Sequence, residues 1–227
     1  MRIKITKNYQ ERELFKDFEL EIEEGGILCI LGESGVGKTT LLNALAGLIE
    51  FDGELQGVPD QVAYVFQTPR LLPHLTVKEN LLYALGNSVQ EEKIAEMLEK
   101  CHLTECENRK VKTLSGGEKK RVALARAFLS KSKLLLMDEP FVSVDTALKL
   151  RLIELFAKLW QESKKTVVFV THDIEEALMV ADKIILLTAN AKQKEFLVKR
   201  ETFPSGYGEE NSLRAEILSE ILGNQKE

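Results

Sequence analysis

The chain has 227 residues, of which 44% are hydrophobic and 30% charged, as in an ordinary compact domain or a domain with a small lobe. Its net charge of -5 at pH 7 gives no overall attraction for nucleic acid. The first ten residues lack the apolar core of a signal peptide, and no apolar run approaches the length of a membrane span. We therefore expect a cytoplasmic protein that touches a membrane only through a partner or its surface.

Hydrophobic patterning along the chain predicts strands that alternate with helices. The predicted strands cover residues 2–6, 15–22, 27–31, 53–57, 61–66, 133–137, 166–170, 183–187 and 195–199. The predicted helices cover residues 39–48, 77–85, 90–100, 118–129, 147–161, 174–181 and about 212–222. This alternation is typical of an α/β protein with a parallel sheet covered on both faces.

The three cysteines allow two interpretations. Cys29 lies in an apolar strand and is expected in the core. Cys101, His102 and Cys106 suggest a metal site, but no second ligand pair follows at the spacing of zinc sites. We therefore expect a reduced helix and loop in this region, without a metal ion.

A glycine-rich loop follows the predicted strand 27–31 and precedes a predicted helix. It fits the pattern G-x-x-x-x-G-K-[ST] with Gly32, Glu33, Ser34, Gly35, Val36, Gly37, Lys38 and Thr39. In such a loop the backbone N–H groups surround phosphates, the lysine reaches the outer phosphates and the Thr39 hydroxyl binds Mg²⁺. Thr40 is expected to support the next helical turn. This loop alone predicts nucleoside triphosphate binding, because kinases, GTPases and motor proteins share it.

Two carboxylates follow the apolar run of residues 134–137. In a parallel sheet this end of the strand faces the phosphate loop, so Asp138 is expected to hold Mg²⁺ and Glu139 to activate water. Adjacent strand residues point to opposite faces, and we therefore expect the two carboxylates to have different roles. Two solvated acids at a strand end are the alternative.

The run Leu114–Glu118, LSGGE, is followed by a basic, alanine-rich helix, KKRVALARAFL. It resembles the signature LSGGQ of the ATP-binding-cassette (ABC) family, with Glu118 in place of glutamine. The resemblance implies that Ser115, Gly116 and Gly117 contact the γ-phosphate of ATP held by a second subunit. The active form implied is a head-to-tail homodimer that encloses two ATP molecules.

Four other positions match the order of motifs in this family. The resemblance implies that Gln67 senses Mg²⁺ and the attacking water, that His172 contacts the γ-phosphate, and that Asp145 communicates across the dimer. Ser143 and Val144 depart from the residues usual before that aspartate. Tyr9 matches the aromatic residue that stacks on adenine, although an aromatic residue in an early strand also suits simple packing. The resemblance extends from Tyr9 to about Leu187.

The family implies a P-loop NTPase fold for residues 1–227 as a single nucleotide-binding domain. Its parts are a RecA-like parallel sheet, an N-terminal antiparallel β subdomain and a small helical subdomain at about residues 68–130. Cassettes that act on DNA carry a long coiled coil between the phosphate loop and the signature, whereas only 46 residues separate Gln67 from Leu114. Translation-type cassettes usually carry two such domains, and fused exporters carry their own membrane spans. A transporter subunit is favoured, and a stand-alone soluble or exporter-type ATPase remains the alternative.

The stretch TPRLLPHLTV at residues 68–77 resembles importer ATPases for nitrate, sulfonate and taurine, with His74 in place of their tryptophan. In such importers this region forms a groove for a short helix of the permease. Leu71, Leu72 and Leu75 are candidates to line it, although leucines here also suit packing of the small lobe. The implied partners are transmembrane permease subunits at the cytoplasmic face of the membrane and, indirectly, an extracytoplasmic solute-binding protein. No nucleic-acid partner is expected.

Overall fold

The computed structural model describes residues 1–9, 12–86, 91–188, 193–199, 201–208 and 212–224, with the backbone alone at residues 9, 12, 13 and 224. Two sheets organise the chain. A three-stranded antiparallel sheet has the order β2-β1-β4, from β1 (Arg2–Tyr9), β2 (Arg12–Glu21) and β4 (Asp52–Gln56). Ile3 pairs with Leu20, and Ile5 pairs with Phe18, so alternate apolar side chains share the buried face.

The larger sheet contains six strands in the order β5-β6-β7-β3-β8-β9. Their bounds are β3 (Ile27–Leu31), β5 (Ala63–Val65), β6 (Leu134–Asp138), β7 (Thr166–Thr171), β8 (Lys183–Leu187) and β9 (Gln193–Leu197). The first five strands are parallel, and their central members are buried along their whole length because both faces are covered. The last strand, predicted at residues 195–199, begins two residues earlier and is antiparallel to β8.

Seven helices are described: α1 (Lys38–Leu45), α2 (Val77–Leu85), α3 (Glu91–Lys100), α4 (Gly116–Leu129), α5 (Thr146–Ser163), α6 (Ile174–Val180) and α7 (Ser212–Asn224). The first helix ends before the predicted residue 48 because Gly47 adopts a φ of 65° and donates its N–H to Ala44 O. The fourth begins two residues before the predicted residue 118, because Ser115 is its N-cap. Short 3₁₀ turns at Thr104–Cys106 and Val111–Thr113 connect α3 to α4.

Each face of the large sheet has its own apolar core. On one face α1 and the antiparallel sheet enclose residues such as Phe15, Ile30 and Leu42. On the other face the helices from α2 to α7 pack around residues such as Phe141 and Phe156. The C-terminal helix joins this second core through Ile217, which has no exposed surface. Among the residues that the structure describes, no helix combines the length and the apolar composition needed to cross a membrane.

The second core should be sensitive to loss of the Phe156 ring, which is fully buried against the rings of Phe128 and Phe141 at centroid distances of 6.0 and 6.2 Å. Phe156→Ala should lower the free energy of unfolding by about 3–5 kcal/mol, through lost burial and a cavity. Urea titration measures this change. Tyr83→Ala is the matched control, because that ring is 70% exposed and its removal should cost little. Equal losses in the two variants would contradict the packing described.

Candidate functional site

The glycine-rich loop between β3 and α1 depends on Gly37. Its φ of 110° is a left-handed conformation that other residues rarely adopt, and a Cβ there would lie 2.7 Å from Cζ of Phe15. The loop therefore closes tightly over the antiparallel sheet. Its backbone leads directly into the N-terminus of α1, where the free N–H groups and the helix dipole favour an anion.

Lys38 is buried with 5% exposure, and its Nζ donates to the carbonyl oxygens of Gly32 at 2.7 Å and Glu33 at 2.8 Å. The ammonium group is thus held under the loop. Burial lowers the pKa of Lys38, while the carboxylates of Glu139 and Asp138 act in the opposite direction. A cation partly stripped of water and fixed beside backbone amides is suited to a multiply charged anion.

Thr39 and Asp138 meet at the end of β6. The Thr39 hydroxyl donates to Asp138 Oδ1 at 3.1 Å, and burial raises the pKa of that carboxyl. Hydroxyl and carboxylate oxygens are the ligands that Mg²⁺ prefers. No group of three or more His, Cys, Asp or Glu side chains is arranged for a metal within the described part of the chain. A cation here would therefore take other ligands from water and phosphate, as Mg²⁺ does in nucleotide sites.

Glu139 lies just after β6, in a left-handed conformation with a φ of 44°. Its Oε2 accepts a hydrogen bond from Gln67 Nε2 at 3.2 Å, and its Oε1 lies 3.1 Å from His172 Nδ1. The two carboxylates have different partners, since Asp138 accepts from Thr39 whereas Glu139 contacts Gln67 and His172. The strand ends at Asp138, the backbone turns, and both carboxylates line the same pocket.

That pocket has a volume of about 430 Å³. It is lined by Leu14, Ser34, Gly35, Gly37, Lys38, Thr39, Thr40, Gln67, Asp138 and Glu139. Sequence analysis missed Leu14, which carries no motif signal. A second cavity, of about 370 Å³, has a lining that includes Gly32, Glu33, Val36, His172 and Ile221 of α7. The predicted loop residues therefore line two cavities, and Ser34 lines both of them. The Tyr9 side chain lies outside the described residues.

The signature residues lie at the start of α4, and none of them lines the 430 Å³ pocket. The Ser115 hydroxyl accepts from Glu118 N–H at 3.2 Å, and the Glu118 carboxylate accepts from Ser115 N–H at 2.6 Å. A Cβ on Gly117 would lie 2.9 Å from Cδ2 of Leu148 in α5, so a larger residue there would require the Leu148 side chain to shift.

Asp145 is the N-cap of α5, where its carboxylate accepts from Leu148 N–H at 3.0 Å. One turn later, Lys149 bridges to Asp173 at 2.6 Å and to the buried Glu176 at 2.9 Å. Glu176 also accepts from the Thr171 hydroxyl at 2.6 Å. These contacts tie the start of α5 to the segment that carries His172. Sequence analysis missed Lys149, because its partners are more than 20 residues away and no local pattern connects them.

The site combines the glycine-rich loop, the paired oxygens of Thr39 and Asp138, and the Glu139 carboxylate. That carboxylate contacts the amide of Gln67 and the imidazole of His172. A family model described as ABC transporter matches residues 15–142, more than half of the chain. The chain belongs to the ABC transporter family. The cassette is 39% identical to the aliphatic sulfonates import ATP-binding protein SsuB 1 of Pseudomonas fluorescens, over 99% of this chain and 86% of that protein. It is 37% identical to the SsuB protein of Granulibacter bethesdensis, over 96% of this chain and 92% of that protein.

Solved cassettes have the same fold. The dimeric structure of the bacterial ABC transporter cassette MJ0796 matches with a TM-score of 0.75 and 31% identity, over 88% of this chain and 100% of that one. A dimeric post-hydrolysis state of MJ0796 bound to ADP and Pi matches with a TM-score of 0.71 and 30% identity, over the same shares of the two chains. The resemblance predicted from the motifs and the P-loop NTPase fold are both confirmed, and the cassette is an ATP-binding ATPase.

Loss of the ion pairs made by Lys149 should lower the free energy of unfolding of the cassette. Lys149→Met leaves the carboxylate of Glu176, whose side chain is 3% exposed, without its cationic partner. Breaking a buried pair in this way should cost about 3–5 kcal/mol at pH 7. Urea unfolding of the variant and the wild type measures the loss. Lys4→Met is the control, because its partners Asp17 and Glu19 lie at the surface and the change should be small.

The cost of Lys149→Met should also depend on pH. Burial tends to raise the pKa of Asp173, but the hydrogen bond and charge of Lys149 outweigh this and hold that pKa below its ordinary value. A carboxyl with a depressed folded pKa stabilises the protein above its unfolded pKa of about 3.9, and this stabilisation is lost as the pH falls through the folded value. The difference in the free energy of unfolding between wild type and variant should therefore be full at pH 7 and become smaller below about pH 4. A constant gap would argue against the ion pair.

Proposed function

We propose that the cassette hydrolyses ATP as an Mg²⁺-dependent homodimer and so drives import of an aliphatic sulfonate or a chemically similar solute through a separate membrane permease. The observation that carries the catalytic part is Glu139, fixed between Gln67 and His172 beside the pair formed by Thr39 and Asp138. The solute class is supported by the names of the relatives, which are import proteins for aliphatic sulfonates. Nitrate and taurine importers share the sequence features that favour this class.

Phosphate binding is the first step of the mechanism. In the proposed complex, N–H groups of Gly35 and Gly37 and the N-terminus of α1 hold the phosphates, and Lys38 exchanges loop carbonyls for phosphate oxygens. Thr39, Asp138 and the amide oxygen of Gln67 would hold Mg²⁺. The ion would neutralise phosphate charge and fix the β- and γ-phosphates for in-line attack.

Glu139 is the proposed general base. Its carboxylate is 15% exposed and faces the pocket, so a water can lie between it and a γ-phosphate bound by Lys38. Gln67 and His172 each contact one of its oxygens and orient it. Through its contact with Glu139, His172 is also proposed to stabilise negative charge on the γ-phosphate as the bond breaks.

A second copy is proposed to complete each site. Ser115, Gly116 and Gly117 do not reach the pocket of their own chain. In the capping box the Ser115 hydroxyl oxygen accepts a hydrogen bond, which leaves its O–H free to donate to a phosphate from outside. The first amides of α4 have no partner inside the helix. The dimeric structure of the MJ0796 cassette supports a second copy. The proposed arrangement is head-to-tail, with Asp145 beside the opposite site.

Glu139→Gln should keep ATP binding but reduce turnover by about 10²–10⁴-fold, because the amide cannot take the proton of water. The variant should therefore accumulate as an ATP-bound dimer, which sedimentation with and without ATP and Mg²⁺ will detect. Adding Ser115→Arg should abolish that dimer while each monomer still binds ATP. Unchanged turnover in Glu139→Gln would exclude the proposed base, and a dimer that persists with Ser115→Arg would exclude the proposed contact from the second subunit.

The proposed permease surface is the segment after Gln67. Asn80, fully buried, donates to Leu72 O at 3.0 Å and accepts from Leu72 N–H at 2.8 Å, which fixes the segment. Leu71 is partly buried against the core, so at least part of this side chain serves packing of the small lobe rather than the groove. Leu72, His74 and the nearby Tyr83 are exposed. A rigid loop that presents these side chains suits a short helix of a partner.

Leu72→Glu should prevent permease binding while leaving ATPase activity of the isolated cassette unchanged, because it places a charge on the proposed surface far from the phosphates. Tagged Glu139→Gln cassette with ATP should recover a multi-span protein from native membranes, identified by mass spectrometry, and addition of Leu72→Glu should remove it. Leu197→Glu, on the exposed edge strand, is the matched control. Recovery of soluble partners alone would favour the stand-alone ATPase. Uptake of a labelled alkanesulfonate, compared with nitrate and taurine, tests the solute.

A further inference from the structure

The last residue of the signature, Glu118, places a carboxylate at the N-terminus of α4. Its Oε2 accepts from Ser115 N–H at 2.6 Å, and its own N–H donates to the Ser115 hydroxyl. The hydrogen bond from the Ser115 backbone, with further bonds from Cys106 and the charge of Arg109, lowers the pKa of Glu118 to about 2. The group is therefore ionised at every pH at which the cassette works.

An ionised Glu118 conflicts with the proposed role of this helix end. A γ-phosphate bound by the opposite subunit would approach Ser115 and the free amides of Gly116 and Gly117. A carboxylate bonded to Ser115 lies in the same small region and repels that phosphate. Glutamine at this position can make the same capping bond without a charge. The chain therefore needs a compensating cation that a glutamine-containing signature does not need.

Arg109 supplies that cation. Its Nη1 lies 3.0 Å from Glu118 Oε1, and its Nη2 donates to Thr113 O at 2.9 Å, so the guanidinium is held at two points in a fixed direction. Cys106 closes the cluster: its Sγ donates to Glu118 Oε1 at 3.1 Å and lies 3.3 Å from Arg109 Nη1. Burial, together with Glu118, raises the pKa of this thiol, which keeps it protonated as a donor. The cysteine thus takes part in a polar cluster around the signature.

We propose that Arg109 is a positioning residue of the ATPase, which neutralises Glu118 and holds its carboxylate against the Ser115 backbone so that the start of α4 attracts the γ-phosphate of the opposite subunit. This inference rests on the proposed dimer. Arg109 lies outside the signature. By cancelling the charge of Glu118, it would give the signature the same electrostatic character as one with glutamine at this position. Three of the four acceptor directions of the carboxylate are then occupied by Ser115, Arg109 and Cys106, and little of its charge faces the phosphate.

The test is a double-mutant cycle in the Glu139→Gln background, with the ATP concentration for half-maximal dimerisation as the readout. Arg109→Gln should raise this concentration about tenfold, as expected for one uncompensated charge a few ångströms from the phosphate. Glu118→Gln alone should change it less than about twofold, because glutamine keeps the capping bond. The double variant Arg109→Gln/Glu118→Gln should return to the parent value. Arg2→Gln, an exposed arginine paired with Glu21, is the matched control.

A return of the half-maximal ATP concentration to the parent value in the double variant is the result that a merely structural arginine would not give. If Arg109 only braced the loop through Thr113 O, the double variant would remain as weak as Arg109→Gln, and the inference would be overturned. Thermal unfolding of every variant verifies folding. If Arg109→Gln does not fold, Arg109→Lys replaces it in the same cycle: it keeps the charge and should stay near the parent value, whereas a tenfold loss not recovered by Glu118→Gln would overturn the inference.

Failure of the underlying function gives a different pattern. Without an ATP-dependent dimer, the Glu139→Gln parent would show no ATP-dependent association, and Ser115→Arg would have no effect in it. That result removes the dimer and the inference with it. A parent that dimerises and responds to Ser115→Arg, together with a double variant that does not recover, removes only the role of Arg109.

Discussion

The whole site depends on the parallel pairing of β3, β7 and β6 in one register. Leu31 is paired with Thr171, and Asp138 is paired with Val170, so three buried strands end at the same level of the sheet. The residues that follow them are Gly32, His172 and Glu139. Because apolar side chains cover both faces of these strands, a shift of one strand by one residue would move its side chains to the opposite face. The core therefore fixes the relative positions of the glycine-rich loop, the Glu139 carboxylate and the His172 imidazole.

Helix N-termini are the second recurring element. Ser115, Asp145 and Asp173 are each an N-cap, and each lies in or beside one of the family's motifs. A cap orients the first turn of its helix and satisfies amide groups that would otherwise lack partners. The bridge from Lys149 to Asp173 and Glu176 then connects the start of α5 to the start of α6. Changes around Asp145 can therefore reach His172 through a short, charged contact rather than through the whole core.

The pocket beside the glycine-rich loop is formed by residues of a single chain. Lys38, Thr39, Asp138 and Glu139 converge within a single chain, whereas the signature residues lie elsewhere on it. This separation is the reason for proposing a dimer. Each chain has one pocket and one helix N-terminus that suits a phosphate, and two chains could bring them together. The same logic makes the charge of Glu118 consequential. In the proposed dimer Glu118, which caps α4 in the monomer, would also lie beside the phosphate.

The sequence by itself determined the features that are local in the chain. The phosphate loop, the capping box at Ser115 and the apolar strands follow from neighbouring residues, whose backbone preferences and hydrogen bonds act over a few positions. The order and spacing of the motifs predicted the family, which is confirmed, and they are also the basis of the proposed catalytic residues. The tertiary structure decided where Glu139 points, because its left-handed backbone and its contacts with Gln67 and His172 join segments 33 or more residues apart. It also decided the antiparallel pairing of β9, the bridge made by Lys149 and the ion pair between Arg109 and Glu118. None of these has a local signal, since each arises only when the core brings distant backbone segments together.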